Sequence, residues 1–279
     1  MSNYHLSKDK QIAVTAALAE GNSIRSIERM TGVHRDTIMR LGVRVGQGCA
    51  RLLDQKMRGL DCNRIELDEI WGFIGKKVRH LREDDDPTFG DVWTYCAIDA
   101  ETKLVPAYKV ASRRNVPTTI EFISDLKSRL NNRVQISSDA MNAYSDAIEF
   151  VFGRDVDYAQ IVKTYGSEDS KYNTPERKYS PSRITGSEKI WIQGRPEAKH
   201  VSTSYVERLN ASTRLHVKRL NRLTLAFSKK LENFEAAVAL NFASHNFVKP
   251  HRTIKMTPAI MAGIETNFWS YGDLVEAAL

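Results

Sequence analysis

Cysteine is the first scarcity in this 279-residue chain. Cys49, Cys62 and Cys96 stand apart without Cys-x-x-Cys spacing, which argues against a disulfide framework or a cysteine zinc site and leaves reduced thiols. No unbroken apolar run is long enough to cross a bilayer. The start also lacks the basic-then-apolar order of a signal peptide, so a cytoplasmic location is the expectation. No glycine-rich phosphate loop follows any predicted strand, and nothing points to a nucleotide cofactor. His200, His216, His245 and His251 match no zinc spacing and read as scattered residues.

The chain does have an apolar content of 42%, enough for a real core, and a net charge of +7 that is unevenly spread. Residues 1–60 carry ten basic against five acidic side chains, and 61–160 carry 13 against 18. Residues 161–230 carry 15 against six, and the remainder three against five. Two basic blocks suit a protein that grips a polyanion at two places, since each neutralised phosphate releases counterions. The acidic middle suits a metal-binding centre. The plain alternative for any single block is solubility charge.

The first 48 residues read as a small all-α helix-turn-helix domain. Ile12, Val14, Ala16, Ala17 and Leu18 mark a first helix ending near Gly21, and Ser23 caps a second carrying Ile24, Ile27 and Met30. Thr31-Gly32-Val33 is the turn, and a third helix runs from about His34 to Val45. Ile38 and Leu41 face inward, which leaves His34, Arg35, Thr37 and Arg40 for a DNA major groove. A helical interaction module is the bland alternative. Gly42, Gly46, Gly48 and Gly59 suggest a loosened chain, with a linker over 49–63.

From Arg64 the period becomes that of strands. Ile65, Leu67, Ile70, Trp71, Phe73 and Ile74 surround Asp68-Glu69, as in a strand buried on both faces. A buried carboxylate is costly unless a charge meets it, so one of this pair has a purpose; alternation puts them on opposite faces. Either could merely pair with Lys76 or Lys77. Glu83 to Pro87 reads as a solvated turn. Strands over Val92–Asp99 and Leu104–Val110 complete a meander, with Asp99 as a turn residue. A helix over Pro117–Leu130 then leads to a strand from Val134 into Asp139. That crossover places Asp139 at a strand's carboxyl end, next to or near the strand of Asp68, where open α/β sheets bind ligands. Ser138 could cap the segment after Asp139, and as a nucleophile it lacks a local His.

A helix drawn through Glu207 packs Val206, Leu209, Val217 and Leu220 within roughly 80° and sets Glu207, Asn210, Arg214 and Lys218 beside them. A carboxylate among bases on such a face can hold a metal beside a phosphate if Asp68 and Asp139 converge on it. A solvated basic face is the plain reading of Arg214, Lys218, Arg219 and Arg222. Residues 231–250 read as a packing helix that covers the sheet.

Three meandering strands, a helix, a strand and a later carboxylate-bearing helix follow the order of the ribonuclease H-like fold, a mixed sheet with flanking helices. Asp68-Glu69-Ile70-Trp71, Ser138-Asp139-Ala140-Met141-Asn142-Ala143-Tyr144 and Glu207-Arg208-Leu209-Asn210 resemble the DDE transposases of the insertion-sequence-one family. So do Arg219 to Thr224, Phe227-Ser228-Lys229 and the closing Thr257 to Gly263. The resemblance spans most of 64–263, read as the catalytic domain, with a C-terminal tail over 264–279.

The resemblance implies that Asp68, Asp139 and Glu207 are the catalytic carboxylates and bind two Mg²⁺ or Mn²⁺ ions. It also implies hydrolysis and strand transfer at DNA phosphodiesters without a covalent protein intermediate. Asn210 is expected to orient Glu207 or a phosphate, and Arg214, with Lys218 and Arg222, to meet transposon-end DNA. The expected partners are double-stranded DNA, both terminal repeats and target, and further copies of the chain, at least a dimer. The family's cysteine-bearing zinc segment has no counterpart here, so end recognition is expected to rest on the helices. Asp139 and Glu207 lie 68 positions apart, and 165–189 reads as an inserted polar loop over DNA, with Lys171, Arg177, Lys178 and Arg183 suited to phosphates. The rival readings are a nuclease or resolvase of the same fold without strand transfer, and a DNA-binding regulator with silent carboxylates.

Overall fold

A computed structural model describes residues 6–165, 184–221 and 223–279. The chain opens with α1 (Lys8–Ala19), α2 (Ile24–Thr31) and α3 (Arg35–Lys56). Ser23 caps α2 by accepting from the Ser26 N–H at 3.1 Å. The helix stops at Gly32, whose φ of +67° suits glycine. His34, expected inside the third helix, is instead its N-cap, with Nδ1 accepting from the Asp36 N–H at 3.3 Å.

The third helix runs on well past Val45, and the stretch expected as a linker over 49–63 is helical as far as Lys56. The glycines that suggested looseness mark close packing. A Cβ on Gly46 would lie 2.3 Å from the Ala236 carbonyl oxygen, and one on Gly48 would lie 1.9 Å from that of Ala278. Only glycine lets α3 approach α7 (Leu231–Ala243) and α9 (Tyr271–Ala278) so closely. Residues 264–279 accordingly include a packed helix, with Leu274, Val275 and Ala278 buried.

The described strands form one mixed sheet of β1 (Arg64–Ile74), β2 (Gly90–Asp99), β3 (Tyr108–Ala111), β4 (Val134–Asp139), β5 (Val156–Tyr165) and β6 (Ile184–Gln193). Their order is β3-β2-β1-β4-β5-β6. β1 to β3 form the antiparallel meander, β4 and β5 run parallel to β1, and β6 returns antiparallel. α4 (Val116–Arg129) makes the crossover into β4, and α5 (Asn142–Phe152) the one into β5. The architecture is α/β, a mixed six-stranded sheet with flanking helices in the ribonuclease H-like order expected from the sequence.

Three local expectations shift. Leu104 to Ala107 precede β3 rather than belonging to it; Asn246 holds this stretch by accepting from the Val105 N–H and donating to its carbonyl, both at 3.0 Å. The 165–189 loop falls mostly outside the described residues, as do Lys171, Arg177, Lys178 and Arg183; residues 184–189 within it are strand β6. The helix over 231–250 passes from α7 into a π turn over Ser244–Val248, and it covers the sheet as expected, with Phe234 against Gly72 and Phe242 against Tyr108, while also packing on α3.

One apolar core cluster links Ile27 and Ile38 of the N-terminal helices to Leu67 and Ile70 of β1, Phe122 of α4 and Leu274 of α9. Cys49, Cys62 and Cys96 are free and buried in it. Burial pushes the Cys49 thiol up to about 12. Among the described residues no helix is long and apolar enough to cross a membrane.

Candidate functional site

The site is built where β1 and β4 lie side by side. Leu67 stands in register with Ser138, so Asp68 and Asp139 follow on adjacent strands, and β4 ends at Asp139. Each of Asp68, Glu69 and Asp139 offers a carboxylate oxygen, and these oxygens all lie within 4.8 Å of one another. The alternation of Asp68 and Glu69 holds, since they find partners on opposite faces, yet both reach Asp139.

On the first face, Asp68 accepts from Asn210 Nδ2 at 2.8 Å. On the other, Glu69 accepts from Tyr144 Oη at 3.0 Å and pairs with Arg114 Nε at 2.5 Å, while the Arg114 guanidinium lies 4.9 Å from the Trp93 ring centre. Asp139 takes the Met141 N–H at 3.1 Å where α5 begins. Ser138, a possible cap in the sequence, is buried against Tyr158 Oη at 2.8 Å.

Burial pushes the Asp68 carboxyl up to about 6, and the neighbouring Asp139 and Glu207 charges add to this against the Asn210 bond. Burial, then Asp139, pushes Glu69 up to about 7 against the pull of Arg114. Desolvated like charges this close favour a bound cation or a proton.

Glu207 lies on α6 (Ser204–His216), and the structure keeps it out of the 4.8 Å group. Its carboxylate accepts from Thr203 Oγ1 at 2.6 Å and forms an ion pair with Lys163 of β5. The helix itself is pinned to β1. Glu66, buried and two residues before Asp68 on the same face, accepts from the N–H groups of Tyr205 at 2.7 Å and Val206 at 3.0 Å. A carboxylate at a helix N-terminus satisfies otherwise unpaired donors and meets the positive end of the dipole. Desolvation still raises the Glu66 pKa despite these bonds.

The stripe of Glu207, Asn210, Arg214 and Lys218 is shorter than the sequence implied. The helix ends at His216, because Val217 leaves helical geometry at φ −102° and ψ 85°, and Lys218 falls, exposed, in a 3₁₀ turn. Arg214 is half-buried, and Arg222 lies outside the described residues. On α3 and its cap, His34, Arg35 and Arg40 are exposed and Thr37 is half-buried, with Arg40 Nη2 at 3.5 Å from Thr37 Oγ1.

Sequence reasoning passed over Glu66, Arg114 and Lys163. The Glu66-x-Asp68 spacing was a usable signal for Glu66, since it puts both carboxylates on one strand face. Lys163 gave none, because β5 itself was not foreseen.

The donor set suits a hard divalent cation: three carboxylates within reach of each other, with a fourth nearby. Asn210 adds an independent sign. It is 4% exposed, its Nδ2 donates to Asp68, and its Oδ1 is buried without a hydrogen-bond partner among the described residues.

No protein-family model and no curated protein matches the sequence. Among solved structures the chain is similar to a piggyBac transposase synaptic complex with hairpin DNA, at 11% identity over 99% of this chain and 72% of that one, with a TM-score of 0.43. A simian T-cell lymphotropic virus intasome aligns at 9% identity over 90% and 74%, with a TM-score of 0.40. The Mos1 strand transfer complex aligns at 12% identity over 57% and 60%, with a TM-score of 0.25.

Proposed function

We propose that this chain is a metal-dependent DNA transposase of the insertion-sequence-one type, which binds transposon ends, cuts a phosphodiester and transfers the strand. One observation carries the reading: Asp68 and Asp139 meet on adjacent parallel strands within a half-buried group of carboxylates. Desolvation raises the Asp68 and Glu69 carboxyls, such groups are expensive to keep, and a catalytic ion centre is a sufficient reason to keep them.

Asp68, Asp139 and Glu207 are assigned to hold the ions, two Mg²⁺ or Mn²⁺. When bound, such ions supply Lewis-acid activation of a water or 3′-hydroxyl and neutralise charge on the leaving oxygen. The rest falls to the chain's own residues. Asn210 orients Asp68 through Nδ2. Arg114 and Tyr144 hold Glu69 on the opposite face, which makes it a charge-bearing member of the centre with little freedom to move. Glu66 positions α6, and with it Glu207.

Arg214, Lys218 and Arg222 are assigned to end DNA, and His34, Arg35, Thr37 and Arg40 to groove contacts from the start of α3. Joining two ends requires at least two copies of the chain.

The test is strand cleavage and joining on end-bearing DNA with Mg²⁺, comparing wild type with Asp139→Asn and Glu207→Gln. The expected result is that wild type cuts and joins while both variants bind DNA and do neither. Cutting without joining would assign a nuclease, and binding without chemistry in all three a regulator.

A further inference from the structure

Lys163 lies on β5 two residues beyond Ile161, the register partner of Asp139. Strand alternation therefore turns Lys163 to the same face as Ile161, just past the end of β4. Its side chain is 22% exposed, and its ammonium pairs with the Glu207 carboxylate at the edge of the acidic group.

The backbone on either side of Glu207 is anchored to β1. Glu66 accepts from the N–H groups of Tyr205 and Val206 on one side, and Asp68 accepts from Asn210 on the other. With α6 held at both points, the partner of Glu207 is decided by rotation of its own side chain, since a Glu has three torsions to turn. Glu207 is close enough for its charge to be felt at Asp68, yet it lies outside the group formed by Asp68, Glu69 and Asp139. Four carboxylates drawn together repel one another, and a cation must offset that repulsion whichever way Glu207 turns.

We propose that Lys163 is a positioning residue that competes with the divalent ion for Glu207, holding the carboxylate at the rim of the centre and yielding it by side-chain rotation when the ion binds. This role rests on the metal-centre reading of Asp68, Asp139 and Glu207. Neither the basic blocks nor the acidic motifs of the sequence suggested it.

The test is titration of the full chain with Mn²⁺ alone, followed by electron paramagnetic resonance or calorimetry, without DNA. Lys163→Met is expected to bind Mn²⁺ about two- to fivefold more tightly, the scale of a partly exposed ion pair. In a Glu207→Gln background the same substitution is expected to change nothing, because the carboxylate it acts through is gone. Lys163→Arg, which keeps the charge, is expected to return the wild-type affinity.

Equal tightening in both backgrounds would overturn the proposal in favour of a general field effect, as would no change in either. Mn²⁺ binding that ignores Lys163 leaves the metal centre standing and removes only the role of the lysine. Failure of wild type and all variants to bind Mn²⁺ removes both.

Discussion

The two halves of the candidate site are built differently. Asp68, Glu69 and Asp139 sit on strands, where ladder register sets their spacing and the core sets their burial. Glu207 sits on a helix laid across those strands, and its carboxylate meets a lysine from β5 rather than the acidic group. Backbone hydrogen bonds place the first set to within a fraction of a residue; a rotatable side chain places the second. The strand-borne half is preformed and costly, and the helix-borne half is adjustable. A site assembled in this way can change its fourth carboxylate's partner by one side chain without moving the sheet.

The sharpest way to break the contrast is to remove a strand carboxylate. Asp139→Asn keeps the shape and removes the charge, and strand cleavage is expected to fall at least about 100-fold in a gel assay with Mg²⁺. Glu69→Gln separates the two faces of β1, and it should weaken Mn²⁺ binding by about tenfold in a calorimetric titration, since Arg114 and Tyr144 are left to face a neutral amide. No change at Glu69 would confine the centre to the face that carries α6.

The helix-borne half is tested through its anchor. Glu66→Ala strips two N–H groups of α6, that of Val206 buried and that of Tyr205 part-buried, of their acceptor, and the expected cost is about 1–3 kcal/mol by urea denaturation. Glu66→Gln, which keeps an acceptor oxygen, should recover much of it.

The smallest effect is on pH dependence. The folded-state pKa values of Asp68 and Glu69 lie above the ordinary carboxylate range, at about 6 and about 7. Their contribution to stability is therefore complete below about pH 4 and is lost as the pH rises through 6 and 7. The metal-free protein should accordingly show a thermal midpoint that loses support from these two groups between about pH 4 and 7. Mn²⁺ should restore it most strongly at the upper end. A flat difference between wild type and the Asp68→Asn, Glu69→Gln double variant over that window would contradict the burial described for the pair.

Much of the fold was legible because local chemistry and tertiary contacts agree. The run from Ile65 to Ile74 alternates around two carboxylates and forms β1; Ser23 and Gly32 bracket α2; the apolar stripe of Ile120, Ile123 and Leu126 forms the crossover that brings Asp139 to Asp68. Other parts were misread where one residue type serves two purposes. Gly46 and Gly48 resemble a flexible joint in sequence, yet in space they are where backbones touch. The Glu207 stripe continues to Lys218 in a helical projection, but the backbone turns at Val217.

Patterns of period two and period near four, with caps and turns between them, were enough to specify β1, β2, β4 and most helices and to set Asp139 at a strand end next to or near the strand of Asp68, because these depend on neighbours along the chain and on which face is apolar. The rest depends on contacts between distant segments. Glu66 at the foot of α6, Arg114 against Glu69 and Lys163 against Glu207 join residues 139, 45 and 44 positions apart. A charge carries no mark of its partner until the chain is folded. Burial and register, which exist only in the assembled sheet, decided which of the many acids and bases meet.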